Sequence, residues 1–172
     1  MKFYKSMKAE LKSGYGDIDW KIGEWVNVKG DLSLCNNGLH CCENIIDAMG
    51  FVNCEILAEV ETRGNFLKGP DKYCFQEMRI IKTWKWEKEH SVKLAIFAAE
   101  LVIEIFEKEY PADKRPRAAI EAAKTYLKSP SKKAAGAAVW AAGAEIKQKC
   151  HDYVLELLLS LRKKADCEVK LK

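Results

Sequence analysis

FQEMRIIKTWKWEKEHSVKLAIFAAELVIEIFEK, residues 75–108, changes period in its middle. Up to Trp86 it reads as an extended strand, with Met78, Ile80 and Ile81 near its centre and Trp84 and Trp86 on one face at its far end. From Ser91 onward, Leu94, Phe97, Ala98, Leu101, Ile105 and Phe106 recur at the spacing of a helix with a wide apolar face, which predicts one helix over Ser91–Lys108. The chain therefore divides near residue 87. The expected fold class is α+β: a small, mostly antiparallel N-terminal sheet with one short helix over 1–87, then an Ala-rich bundle of three or four helices over 88–172, packed against it.

Working back from residue 75, Ile56–Glu61 reads as a strand and Glu43–Met49 as a short helix ending at Gly50. Trp25–Val28 and Leu32–Cys35 both alternate around Lys29-Gly30-Asp31, which predicts a hairpin. A further strand begins at Lys2–Lys5, for four to six strands in all. Working forward, Tyr110-Pro111 ends the first helix. Asp113 caps a second that carries Pro116 in its first turn and runs to Leu127 or Lys128. Ser129-Pro130-Ser131 breaks the chain again. Lys132–Lys164 then forms either one long helix or two meeting near His151. Residues 118–145 hold 11 alanines, with Gly136, Trp140 and Gly143, a composition suited to close helix packing rather than to chemistry.

The 172 residues are 48% hydrophobic and 31% charged, which excludes fibrous and disordered classes. Glu100 and Glu104 interrupt the most apolar run, so no membrane span is expected, and the N-terminus lacks the apolar core of a signal peptide, which suggests a cytoplasmic protein. Residues 1–86 are neutral, with 12 basic and 12 acidic side chains; residues 87–172 carry 17 and 13. The excess lies between Lys108 and Lys133, a patch suited to an acidic protein surface. Nucleic acid is open as a partner but not favoured, because no aromatic platform is interleaved with the charges. The Ala-rich helix also leaves a homodimer open.

The seven cysteines show no repeated spacing, so reduced thiols are the default. Cys35, His40 and Cys41 are the candidate metal ligands, although no C-x2-C pair is present and buried, inert thiols are the commoner outcome. No cofactor is expected. Walker, dinucleotide-binding, zincin and nucleophile-elbow signatures are all absent. Of the five tryptophans, Trp20 and Trp25, beside the Gly14–Asp19 loop, are the candidates for an exposed contact.

The stretch DKRPRAAIEAAKTYLKSPSKKAAGAAVWAAGA, Asp113–Ala144, resembles the signature of immunity proteins of bacterial toxin–immunity systems, specifically in its first ten residues. The N-terminal half is similar to a small domain of unknown function found in phage and prophage proteins. The shared features are Phe3-Tyr4-Lys5, a turn at Gly23, Leu34-Cys35-Asn36-Asn37-Gly38-Leu39-His40-Cys41-Cys42 and Ala58-Glu59-Val60-Glu61. Together these resemblances imply a phage-borne or mobile-element protein that works by binding another protein, an immunity-type or anti-defence inhibitor. Its contact surface would combine Lys114, Arg115 and Arg117 with Trp20 and Trp25, since guanidinium groups form bidentate pairs with carboxylates.

A rival reading starts from the same N-terminal residues. Their order loosely resembles the ADP-ribosyltransferase-like fold, a nucleotide-binding enzyme fold. That resemblance implies Glu77 as the acid that orients the nicotinamide ribose, His40 as a ribose ligand and Tyr4 in the pocket wall. An accessory phage protein without inhibitory role is a third reading.

Overall fold

The computed structural model describes residues 2–16, 18–128 and 144–170, the last stretch without the side chains of 144–146 and 162–170. The chain forms two compact units, Met1–Trp86 and Glu87–Lys172. The architecture is α+β, an antiparallel sheet followed by helices.

The first unit is organised by a long hairpin. Strands β4 (Ile56–Lys68) and β5 (Tyr73–Lys85) have 13 residues each and pair antiparallel along their whole length. The expected strand Ile56–Glu61 is thus only the first half of β4; its exposed second half lacks the apolar alternation that would announce it. Two bulges, between Glu59 and Val60 and between Arg63 and Phe66, interrupt the ladder and bend both strands. On one edge β4 takes β1 (Phe3–Met7), with Phe3 opposite Val60 and Lys5 opposite Ala58. On the other edge β5 takes two short strands in succession, β3 (Leu39–Cys41) opposite Tyr73–Phe75 and β2 (Val26–Asn27) opposite Glu77–Met78. Curvature brings the outer strands together. Tyr4 and Cys42 exchange both main-chain hydrogen bonds, at 2.8 and 2.9 Å, and close the sheet on itself.

The predicted hairpin between Trp25–Val28 and Leu32–Cys35 does not form. The first segment runs along β5, where the Val28 amide donates to the Gln76 carbonyl at 3.0 Å, while Ser33–Asn37 closes its own small turn. Alternation marked the first segment correctly, since Val26–Asn27 is β2, but Leu32–Cys35 forms no strand: Ser33 makes an isolated bridge and the chain then turns. Alternation also carries no information about the partner.

Inside the closed sheet, Phe3 meets the rings of Tyr73 and Phe75 edge-on, with centroids 5.0 and 5.2 Å apart, above fully buried Met78 and Ile80. Each such side chain contributes about 1.5–3 kcal/mol by leaving water. Helix α1 (Ile45–Gly50) covers the outer face of β1, where the Ser6 hydroxyl donates to the Ala48 carbonyl at 2.5 Å. This helix starts two residues later than expected. Asn44 is its cap, accepting the Ile46 amide at 2.8 Å, so Glu43 precedes the helix and does not sit in its first turn.

In the second unit, α2 (Lys88–Glu100) opens with a reciprocal cap in which His90 Nδ1 accepts the Glu87 amide at 3.0 Å. The single helix predicted over Ser91–Lys108 is two. After α2 the backbone opens at Leu101-Val102, and α3 (Ile103–Glu109) begins with Ile103 packed against Ile96 and Ile120. The β-branched pair Val102-Ile103 is a weak place in a helix. Helix α4 (Arg115–Lys128) follows, with the Asp113 carboxylate accepting the Arg115 amide at 3.0 Å, as the sequence predicts. Helix α5 (Ala144–Lys170) is continuous through His151, which removes the alternative of two helices meeting there. Buried Cys150, Val154 and Leu158 follow one another at four-residue spacing, and Tyr153 stacks on Phe97 with centroids 4.2 Å apart. The predicted break at Ser129–Ser131 and residues 129–143 of the Ala-rich stretch, Trp140 among them, lie outside the described residues. Among the described residues no helix is long and apolar enough to cross a membrane.

Candidate ligand-binding site

Beyond the Tyr4–Cys42 pair, β1 and β3 part, and a pocket of about 460 Å³ opens at that seam. It lies within the range of about 300–1,000 Å³ usual for small-molecule sites. Its walls are β1, residues 13–16 with Ile18, the segment 35–42 and the end of α1. Two glycines set these walls. Gly14 abuts Val52 so closely that a Cβ there would collide with it, and Gly38, at φ +133°, abuts Cys74 and Leu32 in the same way.

Lys5 stands on the inward, apolar side of β1 between Phe3 and Met7. Its ammonium donates to the His40 carbonyl at 3.0 Å, standing in for the strand amide that the seam lacks. It also lies 5.6 Å from the centre of the Trp20 ring. Burial pulls the Lys5 amine below its ordinary value, with the neighbouring Cys41 and Cys42 opposing the shift. Lys72 approaches from the β4–β5 turn. Its ammonium is 3.3 Å from Cys35 Sγ and 4.2 Å from the centre of the Phe51 ring. Among the described residues, no carboxylate pairs with either ammonium, and none lines the pocket. Asp47 and Asp71 act on the nearby Cys42 thiol, which burial and these two charges push up to about 12.

His40 holds the wall rather than adding charge to it. Its Nε2 accepts the Cys35 amide at 3.0 Å, which requires that nitrogen to be unprotonated. Burial, then Lys5 and Lys72, hold its pKa below the ordinary imidazole value. Cys35 takes the left-handed conformation at φ 65°, and Asn37 straps the loop by donating to the Lys29 and Asp31 carbonyls at 3.0 and 2.9 Å.

The residues expected to carry function separate into three groups. Tyr4 and His40 both reach the pocket, Tyr4 as a buried wall residue whose phenol burial pushes up. Glu77 does not join them. It faces Arg63 across the hairpin at 2.7 Å, in a ladder where Arg79 pairs with Glu61 and both guanidiniums stack on Trp25, at 4.0 and 4.8 Å from its ring centre. Trp25 is thus half-buried under its own cations. Trp20 is no exposed contact: only 3% of its surface is open, and its indole N–H donates to Ser13 Oγ at 2.8 Å. The 3₁₀ turn and the bridge from Lys12 to Asp19 fold the loop back, and Trp20 joins the core cluster of Phe3, Leu39 and Phe75, residues distant in sequence.

At the start of α4, Arg115 forks onto Asp113 at 2.9 and 2.7 Å, and Arg117 onto Glu107 at 2.6 and 2.5 Å. Both carboxyls are held below their usual range, Asp113 at about 2. These pairs are exposed, and Glu121, farther along α4, pairs with Lys124.

The metal reading of Cys35, His40 and Cys41 does not assemble. Neighbouring residues on β3 point to opposite faces, so although both line the pocket, Cys41 packs into the core, its thiol pushed up by burial, while His40 turns to the Cys35 amide. Among the described residues, no group of three His, Cys, Asp or Glu side chains could hold a metal ion. Lys5 and Lys72 were missed. Lys5 left a readable trace, a charge on the apolar side of an alternating strand, whereas Lys72 meets Cys35 only through the fold.

Residues 1–91 match the model of a family described as a domain of unknown function (DUF7666), and the chain belongs to that family. No curated protein and no solved structure matches the chain.

Proposed function

We propose that this family member acts by non-enzymatic, stoichiometric binding, and that its N-terminal unit is a receptor for a small anionic molecule. One observation carries the reading: Lys5 and Lys72 converge on a 460 Å³ pocket and neither has a carboxylate partner among the described residues. A desolvated ammonium is costly without an opposite charge, and a bound anion supplies it. The transferase alternative needs an acid at the same place, and Glu77 is engaged with Arg63 instead. A fragment screen by ¹H–¹⁵N NMR on the full chain tests the proposal. The expected hits move the amides of Lys5 and Cys35–Cys42, and acidic fragments outnumber neutral ones. Shifts that avoid these residues would overturn it.

A second reading keeps the immunity-type or anti-defence inhibitor of phage or mobile-element origin, with a protein as its target. The exposed basic start of α4 favours it. Arg115 leaves 90% of its side chain open even while paired, and Lys114 beside it has no ion-pair partner among the described residues. Affinity capture from host lysate, repeated with Arg115→Glu and Arg117→Glu, tests this surface. One stoichiometric protein lost in the double variant supports the reading; capture unchanged by the double variant removes the patch.

A further inference from the structure

Building on the pocket reading, we infer that its ligand is a nucleoside phosphate, with the phosphate between Lys5 and Lys72 and the ring at the rim against Tyr15 and Phe51. The charge count favours phosphate over carboxylate. The wall offers two ammonium groups, and a phosphate monoester carries about −1.5 to −2 at neutral pH and three acceptor oxygens. Each ammonium has donors to spare: Lys5 gives one hydrogen bond, to the His40 carbonyl, and Lys72 one, to Cys35 Sγ. His40 is occupied on Nε2 by the Cys35 amide and adds no charge, so it positions the loop without binding the anion.

The rim supplies the other half of the ligand. Tyr15 is 84% exposed and Phe51 37%, yet both line the pocket. Lys72 covers one face of Phe51 at 4.2 Å, while Tyr15 has no ring partner among the described residues. An unpartnered aromatic ring at the mouth of a cationic pocket suits a planar base, because stacking is worth about 1–3 kcal/mol per base, a factor of about 5 to 150 in affinity. The flanking glycines let Tyr15 stand there: Gly14 has no room for a Cβ, and Gly16 takes φ +77°.

The test is titration calorimetry of ADP, adenosine and pyrophosphate into the full chain and into Lys5→Met, Lys72→Met and Tyr15→Ala. ADP is expected to bind about tenfold tighter than either of its halves. Lys72→Met should weaken ADP and pyrophosphate alike, by about tenfold, and Tyr15→Ala should weaken ADP while leaving pyrophosphate unchanged. Lys72 and Tyr15 lie at the rim, so their variants keep the test decisive if Lys5→Met does not fold. Adenosine binding as tightly as ADP, or no change in Lys72→Met, overturns the inference. If no phosphate binds while acidic fragments without phosphate still move the pocket amides, the nucleotide assignment falls and the anion reading stands; if nothing acidic binds there, both fall.

Discussion

The sheet unit treats two pairs of cations in opposite ways. On the hairpin surface, Arg63 and Arg79 each face a glutamate directly across the ladder, and both stack on Trp25. At the seam, Lys5 and Lys72 face a carbonyl, a thiol and aromatic rings. The first arrangement is complete within the chain and contributes to holding the hairpin together. Among the described residues the second has no carboxylate partner, and for the buried Lys5 ammonium the carbonyl and cation–π contacts offset only part of the cost of desolvation. A cation beside a cavity with no carboxylate partner among the described residues points to a site in a way that a paired cation on a surface does not.

The largest way to break the comparison is to remove the wall that creates the pocket. Gly38→Val places a branched side chain at φ +133°, against Cys74 and Leu32. It should cost about 3 kcal/mol of stability in a denaturant titration. Next, Trp25→Ala removes the ring shared by both arginines and should cost about 1–2 kcal/mol by the same measurement.

A sharper comparison sets one cation against the other. Arg63→Ala should lose about 0.5–1 kcal/mol, because exposed pairs are worth little. Lys5→Met should lose nothing or gain, since a desolvated charge gives way to an apolar side chain of similar length. A Lys5→Met protein less stable than Arg63→Ala would contradict the assignment of Lys5 to a ligand rather than to the fold.

The smallest expected effect is on pH dependence. His40 must be neutral to accept the Cys35 amide, and its folded pKa lies below the unfolded value of about 6.5. The unfolded chain therefore binds the proton first, so this contribution is complete above about pH 6.5 and is lost as pH falls toward the folded pKa. His90 and His151 are shifted the same way, mainly by burial. His40→Gln keeps an acceptor at the Nε2 position and should flatten, without abolishing, the decline in stability below pH 6.5.

What could be read before the fold depended on range. The change of period at residue 87, the Asp113 cap and the end of α3 at Tyr110 are local, and all three appear in the structure. The later start of α1, at Ile45 rather than Glu43, was local too, because Asn44 is a strong cap. Partner choice was not local: β2 pairs with Met78, about fifty residues away, rather than with the segment beyond its own turn. The site divides in the same way. Tyr4 and His40 entered only through the transferase resemblance, and Lys5, a charge on the apolar side of β1, was passed over. Lys72, Gly14 and the burial of Trp20 depend on the sheet closing at Tyr4 and Cys42, which no short pattern encodes.

The most direct test of the claim that the seam lysines await an anion is thermal unfolding at low ionic strength, with rising ADP, of three proteins: wild type, Arg63→Ala and Lys72→Met. A ligand bound only to the folded state stabilises it by mass action, about 2.7 kcal/mol at a hundredfold excess over Kd. The account predicts that wild type and Arg63→Ala gain equally from their different starting points, while Lys72→Met gains much less. Equal gains in all three proteins, or a loss confined to Arg63→Ala, would contradict it.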